Sequence, residues 1–517
     1  MKKTLLALSG LIVPMAMIAQ NGIEPIDASG LYLIKISPNG QYIGNMSGDA
    51  GIYSLETREL TSYSEAALGL GNTIANNGVA VGEVNDSPVI MKDGEMVRPA
   101  NYLDYWFCDF NAINSDASKV VGLINNSKGA VMYVPFIADM DASGNLSDPT
   151  ILPYPDVDLF GAAPQFVTAV WVSDDGKTVA GQVCDNIGYY VYPIIYQQDE
   201  AGEWSYYLPS EPLFNPDKIE IPANPWSTEP AWPDPTQFMS GALKQAYEEA
   251  YEAYINGTGA APEPEQYMTD SEYDAYAEAV ETYNDWFYSQ QANINAFFAA
   301  YNKVIATSPT FSLNDMALQA SGELMCQHGG VINDDNQMEG KLFCFTPADK
   351  GIKIMEGPDP VAVPRQILPD GTLVVSRPLM AGPNTWFLMP GSEEFITVQE
   401  YLEPNYPELA EYIDQRYPGG NGLVSVSDDF SVISGGVFVT ELAEYDEDAD
   451  LPYYYYSYIL AGLQPAGVES IVAENTDGLY RVYNLKGVKV LETKDGSQLN
   501  SLAKGIYIVN GKKVLVK

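Results

Sequence analysis

Short apolar runs with period-two alternation fill most of this chain, and each stops at a cluster of Gly, Asn, Asp, Ser or Pro. That pattern predicts strands joined by tight turns. One stretch recurs. An apolar residue is followed by a small polar residue, any residue, Asp or Asn, and Gly or a substitute; a β-branched run ending in Gly comes next. Copies run Ile36–Gly44, Ile74–Gly82, Ile113–Gly122, Val172–Gly181, Leu313–Gly322, Ile367–Ser376 and Val426–Gly435, the Leu313 copy being degenerate. Asx before Gly makes a turn, because Gly accepts positive φ and the Asx side chain caps its own backbone. A strand follows each turn, and more strands follow most copies, so each unit reads as a small antiparallel sheet. The first three copies are spaced 38 and 39 residues apart, near the length of a propeller blade. The expected fold is mainly β, a seven-bladed β-propeller; paired sheets with coincidental turn repeats are the alternative.

Between the fourth and fifth copies the period changes. Eight prolines between Pro209 and Pro235 make an extended arm, since Pro lacks the N–H that regular elements need. Phe238, Leu243, Tyr247, Ala250, Tyr251 and Tyr254 then fall at helical spacing. A second helix starts at Thr269 with Glu272 three residues on, a capping box. Its seam runs from Tyr273 through Tyr283, Phe287, Phe297 and Tyr301 to Val304 in steps of three and four. The spacing predicts a helical-hairpin insertion over about 209–308. The seam reads as core. Trp226 and Trp232, on the arm, are candidate ligand-binding residues, because loops carry function more often than packed faces do.

The ends are read differently. Lys2 and Lys3, the apolar stretch Leu5–Ile18 and the small residues Ala16 and Ala19 form the n/h/c pattern of a secretory leader over residues 1–20. No later run is long enough to cross a bilayer as a helix. Residues 21–467 carry 16 basic and 64 acidic residues, whereas residues 468–517 carry eight basic and five acidic. That reversal marks a domain boundary. The acidic body would be repelled by phosphate backbones and anionic lipid, which disfavours nucleic-acid and membrane partners. The last segment reads as short strands over Leu479–Asn484, Val488–Glu492, Ile506–Val509 and Lys513–Val516, a small C-terminal β-sandwich in outline.

Two resemblances rest on these residues. "LYRVYNLKGVKVLETK" and "LAKGIYIVNGKKVLVK" at the C-terminus resemble the type IX secretion sorting domain of Bacteroidetes. The family's motif maps to Val482, Tyr483, Gly487, Gly505, Tyr507, Lys512, Lys513 and Lys517. The resemblance implies engagement of secretion machinery and a place at the cell surface or beyond. The repeats resemble the extracellular Ser-Ala-Asp-Gly-Ser-x-Val-Val-Gly stretches of secreted propellers, which implies the fold and little about activity.

Chemistry is sparse. His328 is the only histidine, so any Ser-His or Cys-His catalysis runs through it, and its neighbours match no nucleophile motif. No Gly-x-Ser-x-Gly, phosphate loop or dinucleotide fingerprint is present, and no catalytic residue is assigned. Cys108, Cys184, Cys326 and Cys344 are widely spaced and form no zinc-type cluster. Asp139, Asp141, Ser143, Gly144 and Asn145 match the opening positions of a calcium loop, but Thr150 stands where Glu is needed. Calcium there is one reading and a hairpin turn the other; no further cofactor is expected. The sequence favours a secreted or surface propeller that binds a glycan or a protein ligand. A polysaccharide hydrolase or lyase and an adhesion scaffold are the alternatives. Carboxylates converging with a Tyr in the central funnel would favour the enzyme.

Overall fold

The computed structural model describes residues 25–463 outside the stretches 28–32, 46–48, 86, 104, 106, 126–132, 188–189, 256–258, 334–336, 378–383, 417–421 and 440–453, and in the C-terminal part residues 479–484, 489–494, 505–509 and 512–516. The expected leader lies outside the described residues.

Four consecutive strands form each of the first six sheets, antiparallel throughout. Their innermost strands are Leu33–Ile36, Ala67–Leu68, Phe107–Ile113, Phe166–Val172, Thr310–Leu318 and Val363–Ile367. A seventh sheet takes Leu423–Val426, Val432–Val439 and Tyr454–Ala461, and its outer strand is the N-terminal Ile26–Asp27. Apolar side chains pack between sheets. Ala50 and Ile52 meet Ala80 and Val89; Val81 and Ile90 meet Phe110 and Val120. Val121 meets Val167, and Ile194 shares the same cluster with Leu318 and Phe343. Leu342 meets Leu373 and Val375, Val374 and Phe387 meet Val424 and Ile433, and Val432 and Ile459 meet Leu33 and Ile43. The last contact returns to the first sheet, so the fold is a β-propeller. Closure has polar stitches too: Leu33 N donates to Ser457 Oγ at 3.2 Å, and Ser434 Oγ donates to Leu33 O at 2.5 Å.

Each repeat copy is the turn from an innermost strand to the next. In the first, Gly40 N donates to Ser37 O and Ser37 N to Tyr42 O, both at 2.8 Å. The Asx at the copy's fourth position accepts from the backbone two residues on, as Asp175 does from Lys177 N at 2.9 Å. The fifth position is left-handed: φ is +73° at Gly40 and +67° at Gly176, and where Gly is replaced Ala117 and Phe430 hold +62° and +58°. The Gly that ends the copy has a different cause. Innermost strands bulge, with register shifts such as Phe110/Ala112 and Ala169/Trp171, and the bulge presses a carbonyl onto the neighbouring strand. A Cβ at Gly122 would stand 1.8 Å from Asp109 O, and one at Gly181 1.9 Å from Thr168 O.

The fifth copy is displaced from its expected place. Its turn is Gln319–Gly322, where Gly322 N donates to Gln319 O at 2.8 Å and φ of Gly322 is +74°. Asn314 and Asp315 lie inside the preceding strand, which spends those residues on a bulge.

The insertion carries three helices, α1 (Gly241–Ile255), α2 (Asp270–Ser289) and α3 (Gln291–Thr307). The capping box at Thr269 and Glu272 forms as expected. A lengthwise hairpin does not. Glu272 and Tyr276, early in α2, meet Ser240 and Phe238 at the start of α1, so the two helices cross near their N-termini. α2 runs into α3 through Gln290 alone. Only the α3 half of the seam is core. Phe297, Tyr301 and Val304 pack with Phe160, Tyr190 and Phe311, while α2 has no buried residue, because no sheet lies beneath it. Tyr301 OH donates to the buried Asp185 carboxylate at 2.6 Å and Tyr190 OH to Pro309 O at 2.8 Å. These bonds fasten the insertion to loops at the end opposite the repeat turns.

At the C-terminus, Lys489–Thr493, Tyr480–Asn484, Gly505–Val509 and Lys512–Val516 make one four-stranded sheet in that order. Among the described residues this is a single sheet with no second layer, so the expected sandwich is not seen; Gly487 and Lys517 lie outside the described residues. Gly505, Tyr507, Lys512 and Lys513 stand on the last two strands. No described helix is long and apolar enough to cross a membrane.

Candidate functional site

Innermost strands have a neighbour on one side only, so their outward N–H and C=O groups need partners on the axis side. Amide side chains supply several. Gln182 Nε2 donates to Ser312 O at 2.9 Å, and its Oε1 accepts from Asn314 N at 2.7 Å. Gln366 does the same for Val426 at 3.0 Å in each direction. The repeat turns also join hands: Asp428 N donates to Pro38 O at 2.8 Å, Asn76 N to Ser115 O at 2.8 Å, and Asp174 N to Ala320 O at 2.7 Å. The result is a hydrogen-bonded rim at one end of the axis.

Inside that rim lies a cavity of about 300 Å³, lined by residues from six of the seven sheets. Its charged groups are Lys35, Arg365, Asp315, Asp174 and Asp428. The Lys35 ammonium donates to Leu70 O and Gly71 O, both at 2.8 Å. Those carbonyls belong to the irregular segment that follows the second sheet's innermost strand, Ala67–Leu68. It reaches across toward the fourth sheet, where a Cβ at Gly71 would stand 2.0 Å from Val170 O, so only Gly allows the approach. Burial, and then the positive charge of Arg365, lower the Lys35 pKa to about 7. Arg365 faces Asp315 at 3.8 Å. Burial raises the Asp315 carboxyl, and Arg365 and His328 oppose that rise. At the rim, Asp428 is raised to about 7 by burial, then by Asp174, Asp429 and Asp370. Trp171 lines the same cavity, and its buried indole N–H finds no acceptor among the described residues.

The fifth sheet contributes a second polar group. Its innermost strand pairs Phe311 with Gly329 and resumes only at Met316 with Gln327, so Ser312–Asp315 bulge opposite His328. Asn314 takes φ +62° there. Ser312 Oγ lies 2.8 Å from His328 Nδ1, and His328 Nε2 lies 3.1 Å from Pro360 O. A carbonyl can only accept, so Nε2 carries the proton and Nδ1 accepts from the Ser312 hydroxyl.

The residues singled out from sequence stand elsewhere. Trp226 packs its ring edge-on against Phe297 and Phe298, at 5.7 and 5.4 Å. Trp232 is 54% exposed and meets Tyr283 edge-on at 4.7 Å. Neither lines the axial cavity. Asp141, Ser143 and Asn145 form a hairpin turn. Asp141 Oδ1 accepts from Ser143 N at 2.8 Å and Asn145 N at 2.9 Å, and Asn145 Nδ2 donates to Oδ2 at 3.0 Å. Those bonds hold the Asp141 carboxyl below its ordinary range, the Asn145 side chain first among them. Asp139 pairs with Lys119 instead. Asp199 builds the same turn, accepting from Ala201 N and Glu203 N at 2.8 and 2.9 Å. Among the described residues no three His, Cys, Asp or Glu side chains group as a metal site would. Lys35, Arg365 and Asp315 were missed because they sit singly in strands far apart in sequence. Asn314 and Asp315 read as a turn in the sequence, but the structure spends them on the bulge.

No family model matches the sequence, and no curated protein matches it. Solved structures do. An oligogalacturonate lyase from Vibrio parahaemolyticus is similar at TM-score 0.39 and 10% identity, over 84% of this chain and 90% of that one. The β-propeller domain of the Trilobed protease from Pyrococcus furiosus is similar at TM-score 0.34 and 11% identity, over 71% and 84%. For the tricorn protease the values are 0.32 and 10%, over 74% of this chain, which spans 34% of that protein.

Proposed function

We propose that the protein is an exported, seven-bladed propeller that binds its ligand in the axial cavity, and that the ligand is a protein segment rather than a neutral glycan. The carrying observation is the division of charge along the axis. Lys35 and Arg365 come from within the strands together with one acid, Asp315, which faces Arg365 at 3.8 Å, so the inner end keeps one cationic group in excess; Asp174 and Asp428 come from the rim turns. Lys35 stands three residues before Pro38, the rim position of its own sheet, or roughly 10 Å of strand. A ligand with an anionic group inside and a cationic group at the rim complements both. A short peptide with a free carboxylate carries that pair, and a polyanionic glycan would meet the acidic rim first. Among the described residues no Tyr lines the cavity, which favours binding over carboxylate–tyrosine chemistry. Export rests on the leader pattern at residues 1–20 and the sorting-like tail at 468–517.

The test is the melting temperature of the full chain against short peptides, their C-terminal amides, and neutral and acidic oligosaccharides. A ligand that binds only the folded state raises it. Peptides with free carboxylates should raise it, their amides less, and K35M or R365M should abolish the rise. A response to one glycan class alone would move the reading to glycan binding; a flat panel would remove the cavity as the ligand site. One observation favours an enzyme instead, the Ser312–His328 pair, in which His328 can take the proton of an attacking hydroxyl. Turnover of an ester or peptide substrate that S312A abolishes would establish that alternative.

A further inference from the structure

The axial cavity does not account for the fifth sheet's two cysteines. Cys326 and Cys344 are directly opposite each other in adjacent antiparallel strands, Met325–Ile332 and Met338–Thr346. Their sulfurs are 2.9 Å apart, and the residues are 0% and 7% exposed. Opposed residues in such a ladder hold their Cβ atoms about 4.5–5.5 Å apart, and a disulfide needs about 3.5–4.5 Å. A small closing of the pair therefore suffices, with no change of register. The other two thiols have no such neighbour: Cys108 packs with Tyr102 and Phe110, and Cys184 Sγ faces Gln165 Oε1 at 3.8 Å.

We propose that Cys326 and Cys344 form a structural disulfide in the exported protein, which locks together the two strands behind the Ser312–Asp315 bulge. His328 lies two residues from Cys326 on the same strand, so the bond also fixes the strand that holds His328 against Ser312 and Pro360. The oxidant is a small-molecule or protein disulfide. One cysteine thiolate attacks it, forming a mixed disulfide and releasing one thiol. The second cysteine thiolate then attacks the bonded cysteine sulfur and releases the second thiol. Both protons leave with the departing thiols, and the oxidant is reduced by two electrons as the pair loses them. Burial holds the Cys326 thiol well above its ordinary range, so the bond closes while the sheet is assembling and is sheltered afterwards.

The experiment uses the full wild-type chain, refolded with a mixture of reduced and oxidised glutathione, then denatured, alkylated and digested without reductant. The expected result is a cross-linked peptide pair joining Cys326 to Cys344, with Cys108 and Cys184 alkylated. Alkylation of all four cysteines, or a link involving Cys108 or Cys184, would overturn the proposal. Shelter is tested on the same sample. Reductant should leave the link intact in native buffer and open it in denaturant; opening at equal rates in both would refute a buried structural bond. Because wild type is the test molecule, no variant has to fold.

Discussion

Replacing Gly122 with Ala probes why the repeats end in glycine. The added Cβ would stand 1.8 Å from Asp109 O and 3.1 Å from a ring carbon of Phe136. Relief needs the two main chains to part by more than about 1 Å, since a carbon cannot approach a carbonyl oxygen much closer than van der Waals contact. Both strands sit in a packed interior: Phe110, Val121 and Phe136 are each 0–1% exposed. The neighbour is backbone, so no side-chain rotation relieves the clash. Overpacking a close-packed core costs about 1–3 kcal/mol, and a rigid backbone clash stands at the top of that range or above. Gly144→Ala is the control. Its φ is +87°, yet nothing lies within 4 Å of the new Cβ, so only the conformational penalty of about 1 kcal/mol remains. Urea unfolding of the two variants beside wild type, followed by tryptophan fluorescence, measures both costs. Gly122→Ala should lower the midpoint severely or prevent folding, and Gly181→Ala, at 1.9 Å from Thr168 O, should match it. A midpoint for Gly122→Ala at or above that of Gly144→Ala would refute the reasoning.

Other outcomes follow from single contacts. Tyr301→Phe removes a donor from the buried Asp185 carboxylate and should cost about 1–3 kcal/mol in chemical unfolding. Asp428 is raised to about 7 from 3.8, so the folded protein holds more protons than the unfolded chain between those values. Stability from this group therefore falls as pH rises from about 4 to about 7. Asp428→Asn should flatten that part of the pH–melting curve, and an unchanged slope would argue against the assignment. Lys35 is depressed to about 7 from 10.5. Its destabilising cost is fully present below pH 7 and relieved as pH rises toward 10.5, so Lys35→Met should remove a rise in stability across that interval. At the Asp141 turn the carboxylate is saturated by its own loop, so adding or chelating calcium should leave the melting temperature unchanged.

Local chemistry was legible in the sequence. Asx-Gly turns, β-branched alternation and the Thr269–Glu272 cap depend on contacts within a few residues, and those formed where the pattern put them. Repeat spacing carried the architecture because six of the seven propeller sheets are built from four consecutive strands, and only the seventh borrows its outer strand, Ile26–Asp27, from the other end of the chain. Where the pattern misled, tertiary packing had overridden it. Asn314 and Asp315 look like a turn, but the neighbouring Gln182 and Gln327 hold Ser312 and Asn314 in a bulge. The aromatic seam is continuous in sequence, yet only α3 found a sheet to bury against. The axial cavity belongs wholly to the tertiary structure. Lys35 meets Leu70 and Gly71, Arg365 meets Asp315, and Asp428 meets Pro38 across 390 residues. Ring closure brings those side chains to one axis, and no local sequence rule reports which of seven strands will face each other across it.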